Sequence, residues 1–210
     1  MYLLEPTALI LIDVQRDEVL AGDHGIPHMA GGRDRHARIR QLLAAARAGG
    51  VPPVFVQEVH KRSLLDIGRE LDGAEGVHCL EGDLATELAA GLVPKPEEYL
   101  IRKRRYSAFF ATELELVLRA YQVQSLILVG ALTDVCVHYT FVDAHQRDYH
   151  CRVVTDCVGG SSREAHEAAL NAMRYLQREC LVTSDEVLAA LERRMASDAA
   201  ASRRAEATVA

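Results

Sequence analysis

The sequence predicts an α/β fold, a single domain built on an open, mainly parallel six-stranded sheet with helices on both faces. Three observations predict it. Short apolar runs alternate with segments of helical spacing along the chain. The first run, Ala8 to Ile12, is apolar without a break, the pattern of a strand buried on both faces. The 210 residues suit one domain, and no repeat or linker divides them. The domain is expected over 1–194, with a flexible tail at 195–210.

Each element has its own signal. The first strand stops at Asp13. Arg33 to Ala48 has helical spacing (Ile39, Leu42, Leu43, Ala46) and ends at Gly49-Gly50, a helix stop. Val54 to Val56 is a second strand. The stretch from Lys61 to Pro96 is irregular and reads as an excursion over one end of the sheet. Tyr99 to Ile101 is a third strand, and Thr112 caps a helix running to Tyr121. Ser125 to Gly130 is a fourth strand, followed by a helix over 135–147. Cys151 to Val154 is a fifth strand, and Ser162 to Gln177 a helix. Cys180 to Val182 is the sixth strand. Thr183 to Glu186 then matches a capping box that starts a last helix.

Composition narrows the function. Net charge is −6, which argues against a nucleic-acid or anionic-membrane partner. No run reaches the roughly 18 apolar residues that span a bilayer. The start, Met1 to Pro6, lacks the basic region of a signal peptide, so a soluble cytoplasmic protein is expected. The five cysteines are odd in number and form no CxxC pair, so neither a disulfide framework nor a zinc knuckle is expected.

In an open parallel sheet, ligands bind beyond the carboxyl ends of the strands. That rule selects Asp13, then Glu58 and His60, then Lys103, and finally Cys136. Cys136 stands at a predicted helix start, where the helix dipole favours the thiolate and backbone N–H groups can meet an oxyanion. The plain alternative is a buried cysteine that only packs. Asp13 ends an apolar strand, as a proton acceptor for the thiol or as a cap for a neighbouring loop. Lys103 lies in a cationic run, either as a solvated strand end or as the cation that stabilises the thiolate.

Three motifs now carry a resemblance. They are Leu9-Ile10-Leu11-Ile12-Asp13-Val14-Gln15, Lys103-Arg104-Arg105-Tyr106-Ser107-Ala108-Phe109, and Gly130-Ala131-Leu132-Thr133-Asp134-Val135-Cys136-Val137. In that order they resemble the isochorismatase-like hydrolase superfamily, in its cysteine-hydrolase branch, from Ala8 to about Leu191. The resemblance implies a catalytic Asp13, Lys103 and Cys136. It implies attack by the thiolate on a small amide, ureide or N-carbamoyl carbonyl, departure of ammonia or an amine, and hydrolysis of a thioester. It also implies a cis peptide at Ala131–Leu132 that turns the N–H groups of Leu132 and Cys136 towards the oxyanion.

Gln15, Glu58, His60, Arg105, Tyr106 and Phe109 are the residues expected to line the substrate pocket. Nicotinamidases of the superfamily bind a zinc or similar ion through Asp-x-His and a later His. Here Glu58-Val59-His60 and His78-Cys79 are similar, but Glu58 replaces the aspartate. The expectation is no bound metal and no cofactor. A homodimer or homotetramer is expected from the family. Two other readings stay open: an isochorismatase-type vinyl-ether hydrolase, which would lack the nucleophilic cysteine, and a non-catalytic, redox-responsive or interaction protein of the same fold.

Overall fold

The structure is a computed structural model that describes residue 3 and residues 5–209, with side chains up to 200 except 198. Met1, Tyr2 and Leu4 of the expected leaderless start, and Ala210 of the expected tail, lie outside the described residues. The elements run β1 (Thr7–Ile12), α1 (Gly32–Ala48), β2 (Pro53–Glu58), β3 (Tyr99–Lys103), α2 (Leu114–Ala120), β4 (Ser125–Ala131), α3 (His138–His145), β5 (His150–Gly159), α4 (Arg163–Leu176), β6 (Leu181–Val182) and α5 (Ser184–Val209).

The six strands form one parallel sheet in the order β3-β2-β1-β4-β5-β6. β1 is central and buried along its whole length, which is why its sequence is apolar without alternation. One face packs against α2, α3 and α4 through Leu114, Leu118, Phe141, Ala144 and Met173. The other packs against α1 and α5 through Ile39, Leu42, Leu43, Val187 and Leu191. Among the described residues, no helix is long and apolar enough to cross a membrane.

Local chemistry sets several boundaries. Thr183 and Glu186 make the reciprocal capping box of α5: Thr183 N–H donates to the glutamate at 2.8 Å, and Glu186 N–H to Thr183 Oγ1 at 3.3 Å. Ser162 caps α4 by accepting from Ala165 N–H at 3.1 Å. Thr112 lies two residues before α2, accepting from Leu114 N–H. The segment from 195, expected as a tail, continues the backbone of α5 to Val209 without a break.

Two departures matter for the site. β5 runs to Gly159, well past the expected Val154. A bulge explains this: Leu128 pairs with Val153 but Gly130 with Val158, so β5 takes up extra residues and loses its apolar run at Thr155 and Asp156. The segment after β4 opens with a π-type turn over Thr133–Val137 before α3, so Cys136 sits inside a widened turn.

Candidate active site

The site is assembled at the carboxyl ends of β1, β2, β3 and β4. Glu58 and Lys103 are register partners on adjacent parallel strands, so their side chains leave the sheet on the same side. Ile12 pairs with both Val56 and Gly130, which brings the residues beyond β1 and β4 together. Gly130 makes that approach possible. Its φ is +114°, and a Cβ there would lie 1.8 Å from the carbonyl oxygen of Ile12. Asp13 follows at φ 48°, in the left-handed region that aspartate tolerates better than most residues. The Ala131–Leu132 peptide is cis.

Lys103 is the hub. It is 1% exposed, and its Nζ lies 2.9 Å from Asp13 Oδ2 and 3.2 Å from Cys136 Sγ. The same ammonium contacts Glu58 Oε2, which also accepts from Cys136 Sγ at 3.6 Å. Glu58 N–H donates to Asp13 Oδ1 at 2.8 Å and to Gln15 Oε1 at 3.1 Å. The four groups are therefore held to one another at the ends of β1, β2 and β3 and in the turn that follows β4.

Their electrostatics differ in a useful way. Burial raises the Asp13 carboxyl, against the pull of Lys103, to about 6. Burial also works on Glu58, but Lys103, His60 and His78 outweigh it and hold that carboxyl well below the usual range. Burial opposes the charge on Lys103, and the anions around it, Asp13 foremost, win and keep it an ammonium. Burial pushes the Cys136 thiol up, well above the ordinary range, with Lys103 pulling the other way. Burial thus works against the thiolate at this sulfur, and Lys103 works for it. The helix terminus is expected to favour the thiolate; burial, Asp13 and Glu58 act in the opposite direction. Asp13, near neutrality, is the carboxylate fitted to take and return a proton, whereas Glu58 stays ionised.

These groups open on a cavity with about 370 Å³ of empty space, its mouth included. Besides Asp13, Glu58 and Cys136 it is lined by Gln15, Tyr106, Leu132 and Cys79, and by Asp17 and His28, which pair at 3.0 Å. Ala131, Val135, Ile26 and Glu75 complete the wall.

An isochorismatase domain profile matches residues 7–186. The chain belongs to the isochorismatase family. Among its relatives, the ureidoacrylate amidohydrolase RutB of Stutzerimonas stutzeri is 32% identical over 186 residues, which cover 78% of this chain and 74% of that protein. A protein of Arabidopsis thaliana described as a probable inactive nicotinamidase is 30% identical over 176 residues, 81% of this chain and 89% of that one. The crystal structure of an isochorismatase family protein from Desulfovibrio vulgaris superposes with a TM-score of 0.73 at 33% identity, covering 87% of this chain and 98% of that chain.

Within this isochorismatase-family site, the structure gathers Asp13, Lys103, Cys136, Gln15, Glu58 and Tyr106 and leaves out three expected residues. Arg105 does not line the cavity: its guanidinium donates to the carbonyls of Asp66, at 2.7 Å, and Arg104. Phe109 is buried in the core, stacked on Tyr149 under the Arg147 guanidinium. Within β3, alternation turns Lys103 inwards and Arg102 outwards, whereas Arg104 and Arg105 lie beyond the strand and are held at Asp66. His60 is fully buried behind Glu58 and does not line this cavity.

His60 instead joins a second cluster with Glu58, Glu70 and His78, all buried. His78 Nε2 lies 3.0 Å from Glu58 Oε1, and His60 Nε2 lies 3.1 Å from Glu70 Oε2. Glu70 escaped the sequence reading. It belongs to the irregular stretch between β2 and β3, where no periodicity marks a residue as buried.

Proposed function

We propose that this protein is a cysteine-dependent amidohydrolase acting on a small amide, ureide or N-carbamoyl compound. The observation that carries this reading is Lys103 Nζ seated between Asp13 Oδ2, at 2.9 Å, and Cys136 Sγ, at 3.2 Å, beside the cavity. The name of the ureidoacrylate amidohydrolase relative supports it at the level of reaction class.

In the proposed reaction Asp13 takes the thiol proton as Cys136 Sγ attacks the carbonyl carbon. Lys103 stabilises the sulfur anion during the transfer. The tetrahedral oxyanion is met by the N–H groups of Leu132 and Cys136. Asp13 then gives its proton to the leaving nitrogen, the C–N bond breaks, and ammonia or an amine departs from a thioester. Water adds to the thioester, Asp13 takes its proton, and the C–S bond breaks. The acid leaves and the thiol is restored. The wall of the cavity offers carboxylates at Asp17, Glu58 and Glu75 and no arginine. That lining suits the N–H-rich end of a ureide better than a substrate anchored through its own carboxylate.

The test is ammonia release from biuret, N-carbamoyl amino acids, ureidoacrylate-like acids and nicotinamide, by the wild type and by Cys136→Ala. Release from one class, lost in the variant, supports the reading and names the substrate class. Release that survives the substitution rules out Cys136 as nucleophile. A vinyl-ether hydrolase would release no ammonia and would tolerate Cys136→Ala.

A further inference from the structure

The turn that carries Cys136 is held from outside the cavity. Its backbone is wide: Val137 N–H donates to the Leu132 carbonyl at 3.0 Å, a bond that skips one residue more than an α-helical one. Two side chains leave this turn, and both end on one segment, from Gly160 into the first turn of α4. Asp134 grips Ser161 at two points. Its Oδ1 accepts from Ser161 N–H at 2.9 Å, and its Oδ2 accepts from the Ser161 hydroxyl at 2.6 Å. One residue earlier, the buried Thr133 places its Oγ1 2.9 Å from His166 Nδ1.

The fit is close. A Cβ on Gly160 would lie 2.6 Å from Asp134 Oδ1 and 2.8 Å from His166 Cβ, so the missing side chain lets the two sides meet. The bulge in β5 brings the segment to this level, because Gly159 pairs with Ala131 just before the turn. The same segment also reaches the cavity wall. Met29 N–H donates to the Gly160 carbonyl at 2.9 Å, and the neighbouring His28 lines the cavity. Thr133, Asp134, Ser161 and His166 do not line it. Any effect they have on the reaction passes through the backbone.

We propose that the contacts Asp134–Ser161 and Thr133–His166 form a clasp that positions Cys136 for attack, with Asp134 and His166 as positioning residues. The inference rests on the reading of Cys136 as the nucleophile. A carboxylate that holds both the N–H and the O–H of one residue fixes distance and direction together, and the second contact stops the turn from rotating about the first. The clasp thereby sets where the sulfur stands relative to Lys103 Nζ, 3.2 Å away. It also sets where the N–H groups of Leu132 and Cys136 point. A misplacement of about 1 Å costs a nucleophile about 10²-fold in rate.

The test compares Asp134→Ala, Asp134→Asn, Thr133→Val and the double variant Asp134→Ala with Ser161→Ala, all in the full-length protein. Asparagine can keep both bonds: its oxygen accepts from Ser161 N–H and its amide donates to Ser161 Oγ. Asp134→Ala is expected to lower kcat for ammonia release about 10–100-fold, with KM little changed. Asp134→Asn should recover most of that loss. The double variant should be no slower than Asp134→Ala alone, since the two groups act as one unit. Thr133→Val keeps the shape, removes the oxygen and should lower kcat in the same sense, which keeps the test open if Asp134→Ala folds poorly. Hydrogen–deuterium exchange of the peptide spanning Thr133 to Val137 needs no substrate. It should quicken in Asp134→Ala and not in Asp134→Asn, and so judges the clasp apart from the thiol chemistry. An unchanged kcat in both Asp134→Ala and Thr133→Val, a loss confined to KM, an equal loss in Asp134→Asn, or unchanged exchange at the turn would each overturn the proposal.

Discussion

At the scale of single residues, Lys103 governs the site. Its ammonium is the buried counter-charge for both Asp13 and Glu58. Lys103→Met would keep the length of the side chain and remove the charge, leaving two carboxylates together in a dry pocket. A loss of this kind costs about 3–5 kcal/mol of stability, and activity should fall about 10³-fold or more because the sulfur anion loses its partner. Thermal unfolding and ammonia-release kinetics measure the two effects separately. Activity within tenfold of the wild type would remove Lys103 from the mechanism. Asp13 was legible in the sequence because a lone carboxylate that ends an apolar strand must be paired or used, and Lys103 and Cys136 were picked out by the strand-end rule and the motifs around them. Glu58 was read as pocket wall, yet it touches both Lys103 and Cys136. Its second role lies in the register between β2 and β3, which no single strand discloses. Arg105 and Phe109 were misplaced for the same reason: nearness in sequence to Lys103 says nothing about where a loop turns.

At the scale of elements, the approach of β4 to β1 is the feature most sensitive to substitution. Gly130→Ala would put a methyl group against the Ile12 carbonyl oxygen at a φ of +114°. The strand ends would have to part, with a cost of about 3 kcal/mol or more. The urea midpoint should fall accordingly, and an unchanged midpoint would show that the bulge in β5 absorbs the strain. The six strands and five α-helices of the described residues could be read from apolar runs, caps and glycine stops. The length of β5 and the widened turn at Thr133–Val137 could not, because both arise from a mismatch between neighbouring segments. The irregular stretch before β3 was recognised as an excursion across the sheet end. Its contents, Glu70 above all, were hidden by the lack of any period.

At the scale of the whole molecule, the strand order places β1 beside β4, where the chain reverses its direction of growth across the sheet. Parallel open sheets bind ligands at that crevice, and Asp13 and Cys136 flank it here. A second buried network holds the surrounding pieces together. Glu18, in the turn after β1, meets Arg35 and His36 of α1 at 2.5 and 2.6 Å, and Arg35 also donates to the carbonyls of Met29 and Ala30. Burial raises the Glu18 carboxyl, but His36 and Arg35 more than offset it, and the net shift is downwards from 4.5. A carboxyl held low in the folded state stabilises fully above its unfolded value, and that contribution fades as pH falls through the folded one. Glu18→Gln should therefore be less stable at pH 7, with the gap to the wild type closing below about pH 4.5. Denaturation curves at several pH values measure it, and a gap that widened in acid would contradict the pairing.

The enclosure of the Cys136 sulfur, where burial works against the thiolate, has a practical consequence. Electrophilic labels of the iodoacetamide kind find cysteines through their exposed thiolate fraction. A labelling survey of the free protein should rank Cys136 as inert, alongside the cysteines that merely fill space. Only a substrate-shaped electrophile, small enough for the cavity and held so that Asp13 takes the thiol proton as the sulfur attacks, would reveal it.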